Sequence, residues 1–409
     1  MKNLIFTVLF TTIFAVNLMS QTWTQHIAGT ATWSLAKDFQ GNIYAGTTTK
    51  AIYKSTDGGD NWTAVFSGGT ANILYLACDS LNNIYGAYVS GGLVKSTNGG
   101  ANWITIPSSV FNNKSVQSVA CGKNGYVYVG ATNGGIFRST DYGVTFPDTA
   151  LTTLSVVSLT VDRYNSNIIY CGASSTLLTN TGFYRSTDAG YTFSTSLNPY
   201  NIWAILEKMN GNLYTVTTTT GYPVSKSTNG GLNWTNVSSL PGAMRGACLD
   251  LSENICASGN GGVYKSTDDG LSFVNFNFTI SSNQSLCYQN KILVGANGTS
   301  NGGVWIYMDS TISNITSTGE IPDKYSLFQN FPNPFNPKTV ISFQLPVDGL
   351  ITLKVYDMLG REVSTLVNEV KKAGYYTVDF NASQFSSGVY FYRLVTDGLS
   401  VTKKMILMK

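Results

Sequence analysis

The sequence is poor in charge and almost devoid of histidine. Charged residues make up 11% of the 409 positions, and His26 is the single histidine. Residues 1–321 contain 15 Lys and Arg against 15 Asp and Glu, so the net charge of +3 arises after this region. Without a basic stripe to contact a phosphate backbone, the composition argues against nucleic acid as a partner.

Several kinds of chemical site are missing as well. No nucleophile elbow and no Cys/His metal spacing accompanies His26, so we expect this histidine to have a structural or surface role. We expect neither a metal ion nor a cofactor.

Long apolar runs are confined to the N-terminus. Met1, Lys2 and Asn3 precede an apolar run over residues 4–18, and Ser20 precedes Gln21, which is the layout of a signal peptide over residues 1–20. No cysteine lies near this cleavage point, so there is no site for lipoprotein acylation. No later run approaches the roughly 18 residues needed to span a bilayer. The mature chain is therefore predicted to begin at residue 21 and to have no transmembrane segment.

Six cysteines in an exported protein raise the question of disulfides. Cys78 and Cys121 occupy the same place in successive copies of the repeat described next, and Cys248 lies one position earlier. These strands alternate apolar and small residues, which favours buried thiols that fill small core spaces. Spacing alone leaves disulfides open.

What the sequence does contain is an octapeptide that recurs six times. It has the pattern Ser-Thr-Asp/Asn-x-Gly-x-x-aromatic, at residues 55–62, 96–103, 139–146, 186–193, 227–234 and 266–273. A period near 40 residues with strand-like segments between the copies is the size of one four-stranded propeller blade.

The octapeptide has the chemistry of a tight turn. The side chain of its third residue can accept hydrogen bonds from backbone N–H groups just ahead, while the later glycine supplies a positive φ. The aromatic residue can then pack between blades. We expect structural roles for the third residues, which are Asp57, Asn98, Asp141, Asp188, Asn229 and Asp268.

The number of blades follows from the ends of the repeat region. Residues 291–295 and 303–307 supply a further second and third strand, but no octapeptide follows them. The segment 22–26 resembles the fourth strand of the other blades yet precedes the first one. Pairing the two ends would close a ring without open edges. We predict an all-β fold with a seven-bladed β-propeller over residues 21–308.

The composition changes after Ile321. Alternating strands occur at residues 340–345, 351–357 and 389–394, so residues 324–409 are predicted to form a small immunoglobulin-like β-sandwich. The preceding stretch, residues 309–323, is rich in Ser and Thr in its centre and is interpreted as a linker.

Two resemblances add to this interpretation. The octapeptide resembles the Asp-box, or BNR repeat, of sialidase-like propellers. The tail, with its Asn-Phe-Pro-Asn-Pro-Phe-Asn-Pro opening, its Val-Tyr-Asp-Met-Leu-Gly-Arg-Glu segment at 355–362 and its basic-apolar end, resembles the type A C-terminal sorting domain of type IX secretion cargo. That resemblance implies secretion, or display on the outer surface of a Gram-negative bacterium. It also implies that residues 324–409 contact the type IX secretion machinery, and that the tail is cut off within residues 309–325.

The sequence offers no catalytic residues that we can name. Sialidases use three arginines on the substrate carboxylate, but Arg138 and Arg185 align with lysines that precede the octapeptide, so such a triad is not available. Other glycosidases need two carboxylates in a cleft. Glu207 and Glu253 are predicted to lie at turns between first and second strands. Equivalent positions hold Asp38, Asp79 and Asp250, which favours turn chemistry.

A binding role is the preferred interpretation. Aligning the repeats places Trp33, Leu74, Gln117, Val157, Trp203, Arg245 and Ser282 at the start of the innermost strands. Among these, Trp33, Trp203 and Arg245 could form a platform for a sugar or for an aromatic or acidic peptide side chain, and Tyr88 and Tyr222 on neighbouring loops could extend it.

Three alternatives stay open. Both tryptophans could instead plug the channel. The chain could be a glycoside hydrolase of the sialidase-like or xyloglucanase-like propeller class. It also resembles Asp-box photosystem assembly factors, although a sorting tail argues against an internal chaperone.

Overall fold

The computed structural model describes residues 22–408, apart from residues 70, 90–91, 123, 164, 176–180, 198–199, 209, 219–222, 251, 299, 310–324, 331–332, 347–348 and 397–398. The predicted signal peptide and Tyr222 lie outside the described residues. Within them, regular structure is β-strand except for one 3-10 turn at Ser108–Phe111. No helix of this part of the chain is long and apolar enough to cross a bilayer.

The described residues before 310 form seven antiparallel sheets of four strands each. A short strand, β1 (Thr24–His26), comes first. The first sheet contains β2 (Thr32–Lys37), β3 (Ile43–Thr47), β4 (Ile52–Ser55) and β5 (Thr63–Phe66). The second contains β6 (Ile73–Cys78), β7 (Ile84–Tyr88), β8 (Gly92–Ser96) and β9 (Ile104–Ile106). The third contains β10 (Val116–Cys121), β11 (Val127–Ala131), β12 (Gly135–Ser139) and β13 (Asp148–Ala150).

The remaining sheets follow the same order along the chain. The fourth contains β14 (Val156–Val161), β15 (Ile169–Ala173), β16 (Gly182–Ser186) and β17 (Ser194–Leu197). The fifth contains β18 (Ile202–Glu207), β19 (Leu213–Thr217), β20 (Pro223–Ser227) and β21 (Thr235–Ser239). The sixth contains β22 (Met244–Leu249), β23 (Ile255–Gly259), β24 (Gly262–Ser266) and β25 (Val274–Asn275). The seventh is made of β26 (Ser282–Tyr288), β27 (Lys291–Ala296), β28 (Gly303–Met308) and β1.

The sheets are arranged as the blades of a closed ring. The first strand of each sheet lies against the first strands of the two neighbouring sheets, and β26 lies against β2. These innermost strands approach closely because the second strands carry glycine where the next blade comes near. A Cβ on Gly172 would lie 2.4 Å from the carbonyl oxygen of Ile202 in the next innermost strand. The predicted β-propeller fold is confirmed.

The ring closes where the sequence predicted. Strand β1 pairs antiparallel with β28, so that Thr24 lies opposite Ile306 and His26 opposite Val304. The seventh blade therefore takes its outermost strand from the start of the described chain. This pairing covers the strand edge that β28 would otherwise expose.

The tail forms two sheets. One contains β29 (Ser326–Leu327), β30 (Lys338–Leu345) and β33 (Gly374–Asn381). The other contains β31 (Gly349–Tyr356), β32 (Glu362–Lys371), β34 (Gly388–Thr396) and β35 (Leu399–Leu407). Their inner faces share one apolar core that includes Phe343, Leu353 and Tyr392. Phe335 accepts a hydrogen bond from Met408 and donates one to Ile406, which ties the proline-rich opening to the last strand. The predicted β-sandwich is confirmed.

Candidate functional site

A β-bulge lies near the start of every innermost strand. In the first six blades the register skips the second residue of the strand, at Trp33, Leu74, Gln117, Val157, Trp203 and Arg245. In the seventh blade it skips two residues, Asn283 and Gln284. A bulge leaves its extra residue out of the hydrogen-bond ladder between the strands and changes the direction of its side chain. The seven bulges thus put a set of variable side chains at one end of the channel, which we call the mouth.

Three of the predicted residues come together at this mouth. The guanidinium carbon of Arg245 lies 5.8 Å from the ring centroid of Trp33 and 5.7 Å from that of Trp203. All three side chains are partly buried. Cation–π attraction holds a guanidinium at such distances, so the two indoles position Arg245 between them.

The polar groups of this cluster are incompletely paired. The Nη1 group of Arg245 donates to the side-chain oxygen of Asn283 over 3.4 Å, which is long for a hydrogen bond. The Nε group of Arg245 and the indole N–H of Trp203 are buried without a partner. Unpaired buried donors are rare in folded proteins and call for an explanation.

A cavity adjoins the cluster inside the channel. Its volume is about 90 Å³, and Tyr75, Ser158, Thr160, Trp203, Arg245 and Gln284 are among the residues that line it. The phenol of Tyr75 crosses the channel and donates to the carbonyl oxygen of Trp203 over 3.4 Å. Burial raises the pKa of Tyr75 to about 12, so this phenol stays protonated. The cavity is large enough for one small group.

Two of the expectations for the mouth need correction, and a third is not tested. The alignment placed Ser282 with the other bulge residues, but Ser282 pairs with Ala296, so Asn283 and Gln284 are the equivalents. Tyr88 belongs to strand β7 and is only 2% exposed, because its ring packs beside Phe66. It cannot extend the platform. Tyr222 lies outside the described residues.

The sequence analysis also missed residues of the cavity. Tyr75 and Gln284, which line the cavity, and Asn283, which contacts Arg245, were not proposed, although each lies at or next to the bulge of an innermost strand. The register of each bulge is the signal that would have found them, and pairing between strands sets that register.

The octapeptides form identical turns at the opposite end of the blades. In each, the serine hydroxyl donates to the Asp or Asn side chain and accepts from the glycine N–H. The same Asp or Asn accepts from the backbone N–H four residues on. The six glycines have φ between 73° and 98°.

These contacts fix the charge state of the octapeptide carboxyls. Hydrogen bonds from Asn61 and Ser55 hold the pKa of Asp57 well below its usual range. Burial raises the pKa of Asp141 slightly, but hydrogen bonds from Ser139 and Thr145 outweigh this effect and lower the pKa to about 2. A carboxylate held ionised by a turn is poorly suited to donate a proton in catalysis.

One carboxyl at this end, that of Glu207, has a raised pKa. Burial, together with the charge of Asp162 and a hydrogen bond shared with it, raises the pKa of Glu207 to about 7, although the backbone N–H of Arg163, which donates to Glu207 over 2.7 Å, lowers it. The phenol of Tyr170 donates to Asp162 over 2.6 Å. Carboxyls in direct hydrogen-bond contact are too close to act as the separated pair of a glycosidase, which needs at least about 5 Å.

The other candidate acids lie in turns, as predicted. Asp38 and Asp79 each accept from two backbone N–H groups of the turn between first and second strands, and each also accepts from a buried tyrosine. Glu253 lies in the equivalent turn of the sixth blade with φ of 60°, and its carboxylate is 3.8 Å from Arg163.

The sequence favoured buried thiols and left disulfides open, and the structure contains one disulfide. A disulfide joins Cys248 and Cys287, whose Cα atoms are 5.7 Å apart, so it links the innermost strands of the sixth and seventh blades. Cys256 has its sulfur within 4.8 Å of both. Cys78, Cys121, Cys171 and Cys256 are free. Adjacent innermost strands bring the two bonded cysteines together, which spacing in the sequence does not reveal.

Comparison with known proteins identifies the tail. Residues 329–408 match the secretion system C-terminal sorting domain. The chain is thus a β-propeller that carries a type IX sorting domain, and it is secreted or placed on the outer surface of a Gram-negative bacterium. No protein with a curated description matches the sequence significantly.

The solved structures similar to this chain are β-propeller proteins. PorZ, a surface component of the type IX secretion system of Porphyromonas gingivalis, is 14% identical with a TM-score of 0.54, covering 92% of this chain and 59% of PorZ. The extracellular domain of the hybrid two-component system BT3049 from B. thetaiotaomicron is 14% identical with a TM-score of 0.57, covering 95% of this chain and 57% of that one. YCF48 bound to D1 peptide is 12% identical with a TM-score of 0.57, covering 70% of this chain and 96% of YCF48. The chain spans less than two thirds of the first two proteins, and these identities establish the fold alone.

Proposed function

We propose that this protein is a non-catalytic binding module of the cell surface or the medium, which holds a glycan or protein ligand at the channel mouth. Trp33, Trp203 and Arg245 are the binding residues. The observation that supports this most directly is the pairing of two indoles with a guanidinium beside a cavity that contains unpaired donors. Aromatic and arginine side chains are the groups most often responsible for affinity at recognition sites.

The proposal extends to the organisation of the chain. Residues 1–20 are a signal peptide, 21–308 are a propeller of the Asp-box type, 309–323 are a linker and 324–409 contact the type IX secretion machinery. The repeated Ser-to-Asp contacts of the octapeptides support the Asp-box assignment, and the sorting-domain match supports the last one.

Relatives with the same fold have roles compatible with binding. One is described as a surface component of a secretion system, one as the extracellular domain of a two-component system, and one is bound to a peptide. These descriptions belong to those proteins, and they support a surface-exposed propeller as a receptor for a ligand.

Hydrolysis of a glycan is the weaker candidate. Glu207, whose pKa is raised, and its neighbour Asp162 lie at the opposite end of the innermost strands from Trp203. Four residues of strand separate Trp203 from Glu207, which is roughly 13 Å. Among the cavity-lining residues there is no Asp or Glu.

The direct test is an array experiment with the mature chain, from residue 21 onward. We expect binding to a defined set of glycans or peptides, and loss of that binding in Trp33→Ala and Trp203→Ala. Gln117→Ala is the matched control because Gln117 occupies a bulge on β10 outside the cluster. Unchanged binding in both tryptophan variants would remove the mouth from consideration. Release of reducing sugar by the wild type, abolished in Glu207→Gln, would establish the hydrolase instead.

A further inference from the structure

We propose that the channel cavity binds the carboxylate of an acidic sugar, a hexuronic acid residue, through Arg245 and the indole N–H of Trp203. This inference rests on the binding function proposed above and names the class of ligand. Three observations support it: two donors beside the cavity lack partners, Arg245 has no carboxylate to balance its charge, and hydroxyl acceptors line the same cavity.

Trp203 differs from five of the other six tryptophans of the propeller in its N–H group. The indole N–H groups of Trp23, Trp62, Trp103, Trp234 and Trp305 each donate to a backbone carbonyl within 3.2 Å. That of Trp203 is buried without a partner. A lost hydrogen bond of this kind is unfavourable unless a ligand makes it. The exception occurs at the one indole that lines the cavity.

Arg245 lacks the carboxylate partner that three of the other five arginines have. Arg138 contacts Asp148, Arg163 contacts Glu253 and Arg361 contacts Asp357. Among the described residues, no Asp or Glu forms an ion pair with Arg245, and its nearest polar partner is the neutral amide of Asn283. A partly buried cation without a countercharge creates a positive potential in the channel, and this potential favours an anion.

The geometry allows one anion to satisfy both groups. The guanidinium carbon of Arg245 is 5.7 Å from the ring centroid of Trp203, and both side chains line the same cavity. The proposal places a carboxylate in this cavity, with one oxygen toward the guanidinium and the other toward the indole N–H. Guanidinium and carboxylate match as planar groups that form two parallel hydrogen bonds. A carboxylate is therefore the anion that best fits a single arginine.

The rest of the lining favours a sugar acid over an acidic peptide side chain. The hydroxyls of Ser158 and Thr160 donate to the carbonyl oxygens of Ile202 and Ile205, so their lone pairs are free to accept from a ligand. A hexuronic acid has hydroxyl hydrogens to use these acceptors. An Asp or Glu side chain has only methylene groups beside its carboxylate. The indole of Trp33 at the mouth offers a flat apolar face for the C–H groups of a sugar ring.

The test is calorimetric titration of the full mature chain. The probe is a short oligogalacturonate, and its methyl ester is the matched neutral ligand. A peptide that contains glutamate supplies the same carboxylate from a protein source. We expect the acid to bind at least about tenfold more tightly than the ester or the peptide, since a charge-assisted hydrogen bond contributes about that factor.

Two variants separate the contacts. Arg245→Gln and Trp203→Phe should each weaken oligogalacturonate binding at least about tenfold, because the first removes the charge and the second removes the N–H donor while keeping an aromatic ring. Arg163→Gln, at the other end of the channel, is the control with the same loss of charge and should bind like the wild type. Thermal unfolding of each variant shows that it is folded.

The outcomes distinguish this proposal from the one on which it rests. Equal binding of acid and ester, or tighter binding of the peptide, overturns the uronate site while ligand binding at the mouth stands. Wild-type affinity in Trp203→Phe overturns the role of the indole N–H. If the arrays show no ligand of any kind, the binding function itself fails.

Discussion

The two ends of the innermost strands are built from different kinds of side chain. At the turn end, Asp38, Asp79 and the octapeptide carboxyls have hydrogen-bond partners within a few residues of themselves. At the mouth, Arg245 and Trp203 have buried donors without partners, as do the Nε groups of Arg138 and Arg185 at the turn end. Satisfied polar groups stabilise the fold, whereas unsatisfied ones lower stability. The comparison indicates that the carboxyls of the turn end belong to the architecture, whereas the unpaired donors at the mouth adjoin a cavity.

The largest expected loss of stability comes from a substitution in a group of three buried charged residues at the turn end. Lys265 lies 2.7 Å from Asp250 and 2.5 Å from Asp309, and all three side chains are at most 3% exposed. Lys265→Ala leaves two buried carboxylates without a cation and should cost about 3–5 kcal/mol of unfolding free energy. Denaturant titration measures this loss. Lys54→Ala, at the same repeat position, removes a bond to the carbonyl of Gly99 and a cation–π contact with Tyr44 but leaves no buried carboxylate without a cation, and should cost about 1 kcal/mol.

The disulfide between the sixth and seventh blades should make the next largest contribution to the free energy of unfolding. Cys287→Ala removes a link that closes a loop with a sequence separation of 39, which should cost about 2–4 kcal/mol. Reductant should lower the melting temperature of the wild type and leave that of the variant unchanged. A wild type that is insensitive to reductant under unfolding conditions would show that the link is absent in solution.

Two arginines test the contrast between the ends most sharply. Arg138 donates to Asp148 and to the carbonyl of Ala189 at the turn end, so Arg138→Leu should cost about 1.5–3 kcal/mol. Arg245→Leu at the mouth should leave stability unchanged or raise it by up to about 1 kcal/mol, since it removes a cation without a carboxylate partner. Equal destabilisation by both substitutions, measured by denaturant titration, would mean that the mouth is structural too.

A single octapeptide should contribute less. Asp188 accepts from Ser186, Tyr191 and Thr192, and Asp188→Ala should cost about 1 kcal/mol, as the loss of a capping residue does. Thr187→Ala changes an exposed residue of the same turn and should have no measurable effect on the melting temperature.

The pH dependence of stability should have opposite signs for two groups of carboxyls at the turn end. The raised pKa of Glu207, about 7, means that the folded state binds more protons than the unfolded state above pH 4.5, so stability falls as the pH rises from about 4.5 through 7. The lowered pKa values of Asp141 and Asp188, about 2, mean that stability falls as the pH drops below about 3.8. Glu207→Gln should abolish the first slope and keep the second.

Much of the fold could be predicted because it depends on patterns of neighbouring residues. The hydrogen bonds within each octapeptide turn span four residues, so their geometry depends on the residues of the turn itself. Closure by residues 22–26 was predictable since the segment resembles the other fourth strands. The candidate site was only partly predictable. Trp33, Trp203 and Arg245 were found by aligning repeats, whereas Tyr88 proved to be buried and Asn283 replaced Ser282.

The amino-acid sequence by itself determined the period of the blades, the turns that end them and the sorting tail, because each depends on contacts between near neighbours in the chain. Only the tertiary structure decided that Arg245 lies between two tryptophans of other blades, that a bulge in β26 shifts the register, and that Cys248 meets Cys287. Those contacts join residues far apart in sequence, and the closure of the ring sets the distances between them.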